Sequence, residues 1–330
     1  MSLKQEINYS LWCDFIERDF LENEFQDIIN DGTVQGATSN PAIFEQAISS
    51  SPAYNQQIQM LQANSPKKIY EQLAITDIKR AAQLMKPLYE KDNNDGFISI
   101  EVDPTLCDDM MGTIEEGARL NALINEENVM IKVPATTAGY GAMKELTAMG
   151  IHVNATLIFS PLQALECVKA LNEGINQSGK DIKAVISVFV SRFDRLCDID
   201  FKIKGLETSK LGIMNATKCY HEINTYNNDN IRTLFASTGV KGDKLNPSYY
   251  IDELIYPNSV NTAPLKTIKQ WKENGKKEPT PLLSVEECDK YFATLKTNDV
   301  DMDKIYSSLL KDGLEAFKVS FSQLLEKVVK

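Results

Sequence analysis

Residues 128–159 read NVMIKVPATTAGYGAMKELTAMGIHVNATLIF. Two short apolar runs, NVMIKVPA (128–135) and HVNATLIF (152–159), flank AGYGAMKELTAMG (138–150), whose apolar residues recur with helical spacing. Parallel strands need a crossover of this kind, because a tight turn cannot return the chain to the same end of a sheet. The unit repeats in both directions along the chain. Upstream lie NYSLWCD (8–14) with a helix over 15–31, TVQGATSN (33–40) with a helical stretch from Pro41 to about residue 90, and FISIEVD (97–103) with a helix over 108–125. Downstream lie AVISVFVS (184–191), RTLFAST (232–238) and the region around DELIYP (252–257) as the expected eighth strand.

Eight strands alternating with helices in 330 residues predict the α/β class and a (β/α)8 TIM barrel. No G-x-G-x-x-G turn follows an early strand, which weakens an open dinucleotide-binding sheet. The carboxy-terminal DMDKIYSSLLKDGLEAFKVSFSQLLEKVV carries Ile305, Leu309, Leu310, Leu314, Phe317, Phe321, Leu324 and Leu325 at spacings of mostly three and four. This predicts a long amphipathic helix packed on the barrel, with a break near Gly313. No linker-like tract interrupts the chain, so 1–330 is expected to be a single domain. The segments 51–90 and 265–300 read only as helical.

Hydrophobic residues make up 43% and charged residues 25% of the chain, ordinary values for a folded protein. The net charge of −11 argues against nucleic acid and anionic membrane as partners, so any phosphate must be held by a local cationic site. No stretch approaches the roughly 18 apolar residues of a membrane span, and the opening MSLKQEINYS lacks an apolar targeting core. Six cysteines without a C-x-x-C pair read as reduced thiols, which places the expectation in the cytoplasm. Two histidines, His152 and His221, are too few for a His-rich metal site, while a carboxylate-based magnesium site stays open.

Strand alternation turns these runs into a site. In NVMIKV, Asn128, Met130 and Lys132 share one face and Val129, Ile131 and Val133 the other. FISIEVD likewise separates Phe97, Ser99, Glu101 and Asp103 from Ile98, Ile100 and Val102. Asn154 and Thr156 share a face of HVNATLIF, as do Ser187 and Phe189 in AVISVFV, while TVQGATSN ends in Ser39 and Asn40 and NYSLWCD in Asp14. Every early strand thus delivers a polar group near its carboxyl end, where barrel enzymes collect their catalytic residues.

Each residue alone has an ordinary explanation. Lys132 can snorkel or pair, Asp14 and Asn40 can cap helices, Thr156 and Ser187 can bond locally, and Phe189 can be core. Together they match what an amine nucleophile needs: a proton shuttle and a held water, so that a carbinolamine can form and be hydrolysed.

The segments SLWCD, GATSNPAIF, ISIEVDP, VMIKVPAT, NATLIFS and SVFVSRFDR resemble, in order, signature segments of the transaldolase family, with a weaker match through FASTGVK (235–241) and DELIYPNSVNTAP (252–264). The resemblance implies a TIM barrel that moves a dihydroxyacetone unit from sedoheptulose 7-phosphate to glyceraldehyde 3-phosphate through a lysine Schiff base, with no metal or other cofactor. By motif it implies Lys132 as the Schiff-base lysine and Asp14 as the acid/base at the substrate C4 hydroxyl. Glu101 and Thr156 would work through water, Asn40 and Ser187 would hold the dihydroxyacetone hydroxyls, and Phe189 would wall the pocket. Arg192 would bind phosphate, its planar guanidinium suiting bidentate contact. Its ordinary alternative is an ion pair with Asp194 or Asp198. Many relatives carry a short S-x-R where this chain has Ser237, Thr238 and Gly239; Lys241, two positions late, is the expected replacement. Small sugar phosphates are the expected partners, and a homodimer is compatible with the reading.

The competing expectations are a related Schiff-base aldolase that releases free dihydroxyacetone, a barrel that binds sugar phosphates without turnover, and a metal-dependent aldolase. Such Schiff-base aldolases are generally shorter, with a different acid/base residue from Asp14. Mere binding needs no inward amine, and the histidine count disfavours the metal enzyme.

Overall fold

In the computed structural model, which describes residues 2–242 and 245–329, eight parallel strands close into one barrel. The ends of the expected domain, Met1 and Lys330, lie outside the described residues. The strands are β1 (Ser10–Cys13), β2 (Gly36–Thr38), β3 (Phe97–Glu101), β4 (Val129–Pro134), β5 (His152–Ile158), β6 (Ala184–Phe189), β7 (Ile231–Ala236) and β8 (Ser259–Ala263). They lie in chain order, and β8 closes on β1 with Trp12 opposite Thr262.

Alternation splits the apolar residues into two clusters. Ile98, Ile100, Val129, Ile131, Val133, Val153 and Ile186 pack outward with the helices. Trp12, Phe97, Met130, Val185, Leu234 and Val260 fill the interior. Gly36 makes room for the largest of these: a Cβ there would lie 2.4 Å from the Trp12 indole. Above this apolar floor, register sets the polar layer, with Glu101 beside Lys132 and Lys132 beside Asn154.

The eighth strand is not where the sequence reading placed it. Residues Tyr249–Asp252 form a short helix, and Leu254, Ile255 and Tyr256 are fully buried without pairing into the sheet. β8 itself reads SVNTA, and it escaped notice because two of its three outward positions, Ser259 and Asn261, are polar: Asn261, fully buried, accepts from Thr238 Oγ1 at 2.8 Å instead of packing apolar surface. The expected helix over 15–31 is two helices, Arg18–Glu22 and Glu24–Asn30, broken at Asn23, whose backbone is non-helical. The carboxy-terminal helix runs unbroken from Met302 to Lys327, so Gly313 does not interrupt it.

Helix entries crowd the carboxyl end of the barrel. Asn40 caps the helix Pro41–Ser50 by accepting from Ile43 N, with Pro41 at the first helical position. Ser160 and Gln163 form a capping box at the helix Pro161–Ser178. Gln163 also ties down the end of β5, accepting from Phe159 N and donating to Ala135 O and Leu157 O. This holds Leu157 at φ +60°, a conformation a leucine rarely adopts, and the sheet register shifts there. The bulge lets Thr156 line the cavity while Leu157 joins the interior cluster.

Candidate active site

A cavity of about 500 Å³ opens at the carboxyl end of the barrel. Lys132, Asp14, Thr156, Asn40, Ser187, Phe189, Arg192, Ser237 and Lys241 all line it, so nine of the ten candidates from the sequence meet in one space. The tenth, Glu101, lies just behind, with its Oε2 3.5 Å from Lys132 Nζ.

Lys132 is 5% exposed; its ammonium donates to the Ser39 carbonyl at 3.2 Å and lies 5.8 Å from the centroid of the Phe317 ring. Burial pushes the Glu101 carboxyl up to about 7, against the pull of the Lys132 charge, while the charge of Asp14 adds to the rise. Glu101 Oε2 and Thr156 Oγ1 are both buried without a hydrogen-bond partner among the described residues. Burying such oxygens unpaired costs free energy, which a water bound to each would recover.

Asp14 follows β1 and accepts from Thr38 Oγ1 at 2.6 Å; that hydroxyl also lies 2.9 Å from Thr262 Oγ1. Burial raises the Asp14 carboxyl, and Lys132 and the Thr38 bond hold it back. A carboxyl balanced in this way suits proton exchange with a substrate hydroxyl. Ser187 Oγ donates to Asn154 Oδ1 at 2.7 Å, and Asn154 Nδ2 donates to Ser99 Oγ at 3.1 Å, so three strands set the orientation of Ser187. Asp103, which alternation put on the same face as Glu101, turns away past the strand end to pair with Lys67 at 2.7 Å.

Arg192 stands in the first turn of the helix Ser191–Lys204, its guanidinium carbon 4.9 Å from the Phe189 ring centroid. Burial lowers its pKa to about 10, with the Arg195 charge adding and that of Asp312 opposing. The ion pair weighed for it does not form. Asp194 accepts from Gly212 N and Tyr250 OH, and Asp198 accepts from Ser209. Ser237 holds φ +56° and its hydroxyl lies 3.2 Å from that of Ser191.

Among the lining residues that sequence reasoning missed are Thr38, Arg195, Lys266 and Phe317. Thr38 shares the inward face with Gly36 and was within reach of the alternation argument. Lys266 was hidden by the misplaced eighth strand, because it stands just beyond the true β8. Phe317 reaches the site from the carboxy-terminal helix, and no local pattern announces that.

A closed parallel barrel with an inward lysine, a paired carboxyl and a cationic rim defines an aldol-chemistry enzyme of the amine-nucleophile class. A family model described as Transaldolase/Fructose-6-phosphate aldolase matches residues 11–328, and the chain belongs to that family. A protein named Transaldolase from Campylobacter jejuni subsp. jejuni serotype O:23/36 is 47% identical over 331 residues, covering 97% of this chain and 99% of its own. A Transaldolase from Helicobacter pylori strain P12 is 45% identical over 318 residues, covering 96% and 98%.

Proposed function

We propose that the protein transfers a dihydroxyacetone unit from sedoheptulose 7-phosphate to glyceraldehyde 3-phosphate, giving erythrose 4-phosphate and fructose 6-phosphate. One observation carries the reading: the buried amine of Lys132 lies 3.5 Å from Glu101 Oε2, in a cavity whose opposite end is cationic.

The amine of Lys132 adds to the C2 carbonyl of the ketose. Glu101 and Thr156, acting through water, carry the proton that lets the carbinolamine hydroxyl leave as water, forming the imine. Asp14 then takes the proton of the C4 hydroxyl as the C3–C4 bond breaks; the electrons pass into the enamine on Lys132, and erythrose 4-phosphate departs. The enamine attacks the aldehyde of glyceraldehyde 3-phosphate, Asp14 returns its proton to the new hydroxyl, and water releases fructose 6-phosphate. Among the described residues the Asn40 amide nitrogen has no partner, so it can be offered to substrate while Oδ1 is engaged in capping. The cap and the substrate contact are thus compatible roles of one side chain. Arg192, Ser237 and Lys241 take the phosphate. All six cysteines are buried free thiols, which supports a cytoplasmic location.

The test is borohydride reduction in the presence of fructose 6-phosphate, followed by mass mapping. A reduced dihydroxyacetone adduct is expected on Lys132, absent in Lys132→Ala. In Asp14→Ala the adduct should persist while carbon–carbon cleavage slows. No adduct with substrate shown to bind, or activity lost to EDTA and restored by zinc, refutes the scheme. Release of free dihydroxyacetone from fructose 6-phosphate at the transfer rate would assign the aldolase reading instead.

A further inference from the structure

The cavity's far end holds more positive charge than the sequence motifs account for. Arg192, Arg195, Lys241 and Lys266 line it, and among the described residues none has a carboxylate oxygen within 4 Å. The chain has 46 acidic against 35 basic side chains, so keeping four cations together and unpaired runs against its overall balance. Two of the four also stand where helix dipoles oppose them. Arg192 lies in the first turn of the helix Ser191–Lys204, and Lys266 in the first turn of Leu265–Asn274. Neither helix has a side-chain cap, which leaves amino-terminal N–H groups adding to the same positive potential.

We propose that Lys266 is a specificity-determining residue: with Arg192 it binds the terminal phosphate and makes the enzyme discriminate against unphosphorylated sugars. The proposal rests on the sugar-phosphate reading above and deepens it. Lys266 is better placed for this than Lys241. Its backbone belongs to a helix anchored directly after β8, where Ile268 N donates to Pro264 O at 3.0 Å, and Thr267 beside it lines the same cavity. Lys241 lies in irregular chain after β7, next to Gly242. A cation on a fixed support loses less freedom on binding. Lys266 is exposed like Lys241 and Arg195, so its advantage is the fixed helical support rather than depth, and the other two complete the rim that draws in the anion.

The experiment compares Lys266→Ala, Lys266→Arg and Lys241→Ala in the full chain. It measures kcat and KM for glyceraldehyde 3-phosphate and for unphosphorylated glyceraldehyde at a fixed donor concentration. In Lys266→Ala the ratio of the two kcat/KM values should fall by about tenfold or more, carried by KM for the phosphorylated acceptor, as expected for loss of one charge-assisted contact. Lys266→Arg should keep most of the ratio, and Lys241→Ala should lose less of it. An unchanged ratio in Lys266→Ala, an equal loss with both acceptors, or a larger loss in Lys241→Ala overturns the proposal. Borohydride trapping on the wild-type chain separates the two failures. No adduct at Lys132 sinks the Schiff-base reading, whereas an adduct with an unchanged ratio sinks only the role of Lys266.

Discussion

Lys132 and Glu101 occupy facing positions on neighbouring strands, and the burial of both governs the proton chemistry between them. Glu101 is raised from 4.5 to about 7, so it holds its proton below that pH and is a carboxylate above it. Both forms are used in the proposed cycle, one to expel water from the carbinolamine and one to activate water for hydrolysis. The pH profile of kcat should therefore contain a limb near pH 7 that vanishes in Glu101→Gln, together with most of the activity. The same shift has a sign in folding. The folded state binds the Glu101 proton more tightly than the unfolded chain, so this contribution is intact below about pH 4.5 and is lost as pH rises to about 7. Over that window the melting temperature of Glu101→Gln should fall less with rising pH than that of the wild type; parallel curves would refute the assignment.

At the scale of elements, the carboxy-terminal helix is part of the site rather than external padding. It brings Phe317 over the Lys132 amine and passes close to the β5 bulge. Gly313 permits that approach: a Cβ there would lie 3.1 Å from Leu157 Cδ2, 3.3 Å from Arg192 Nη1 and 3.5 Å from Phe159 Cε2. The glycine read from sequence as a helix break is thus a close-packing position, and the helix continues because its neighbours supply the burial. Gly313→Leu should gain about 1 kcal/mol of helix propensity, yet overpacking against Leu157 and Phe159 costs about 1–3 kcal/mol. Urea unfolding should show net destabilisation. KM for the phosphorylated substrate should rise as Arg192 is displaced; an unaltered KM would show that the helix does not set the position of the arginine.

The molecule as a whole divides along the barrel axis, with chemistry at the carboxyl ends of the strands and stability at the amino ends. Arg232, 3% exposed near the start of β7, is the main tie at the amino end. Its guanidinium donates to Asn8 O at 2.6 Å, Ser10 Oγ at 2.9 Å, Ser259 O at 2.8 Å and Asn94 O at 3.0 Å, and lies 3.5 Å from Asp95. One side chain thereby joins strands β1, β7 and β8 and the turn before β3. Arg232→Leu strands these acceptors and should cost about 3–5 kcal/mol by chemical denaturation. KM for sugar phosphates should stay at the wild-type value, because the cavity lies at the other end. A selective rise in KM would contradict this division of labour.

The alternation of eight strand-like runs with helical segments was enough to predict the barrel, and the period of two within six of those runs brought out the inward lysine and five more lining residues, Asp14, Asn40, Thr156, Ser187 and Phe189, while Arg192, Ser237 and Lys241 came from the motif resemblance. The motif resemblance then named the reaction class. That logic failed where the period is broken or disguised, at the polar β8 and in the buried but unpaired run Leu254–Tyr256, which borrows the composition of a strand. Local pattern also says nothing of contacts made by remote elements. Only the closed fold brings Phe317 onto Lys132, fits Gly313 against the β5 bulge and gathers Lys266 with Arg192, because these pairs are joined by packing between segments far apart in the chain.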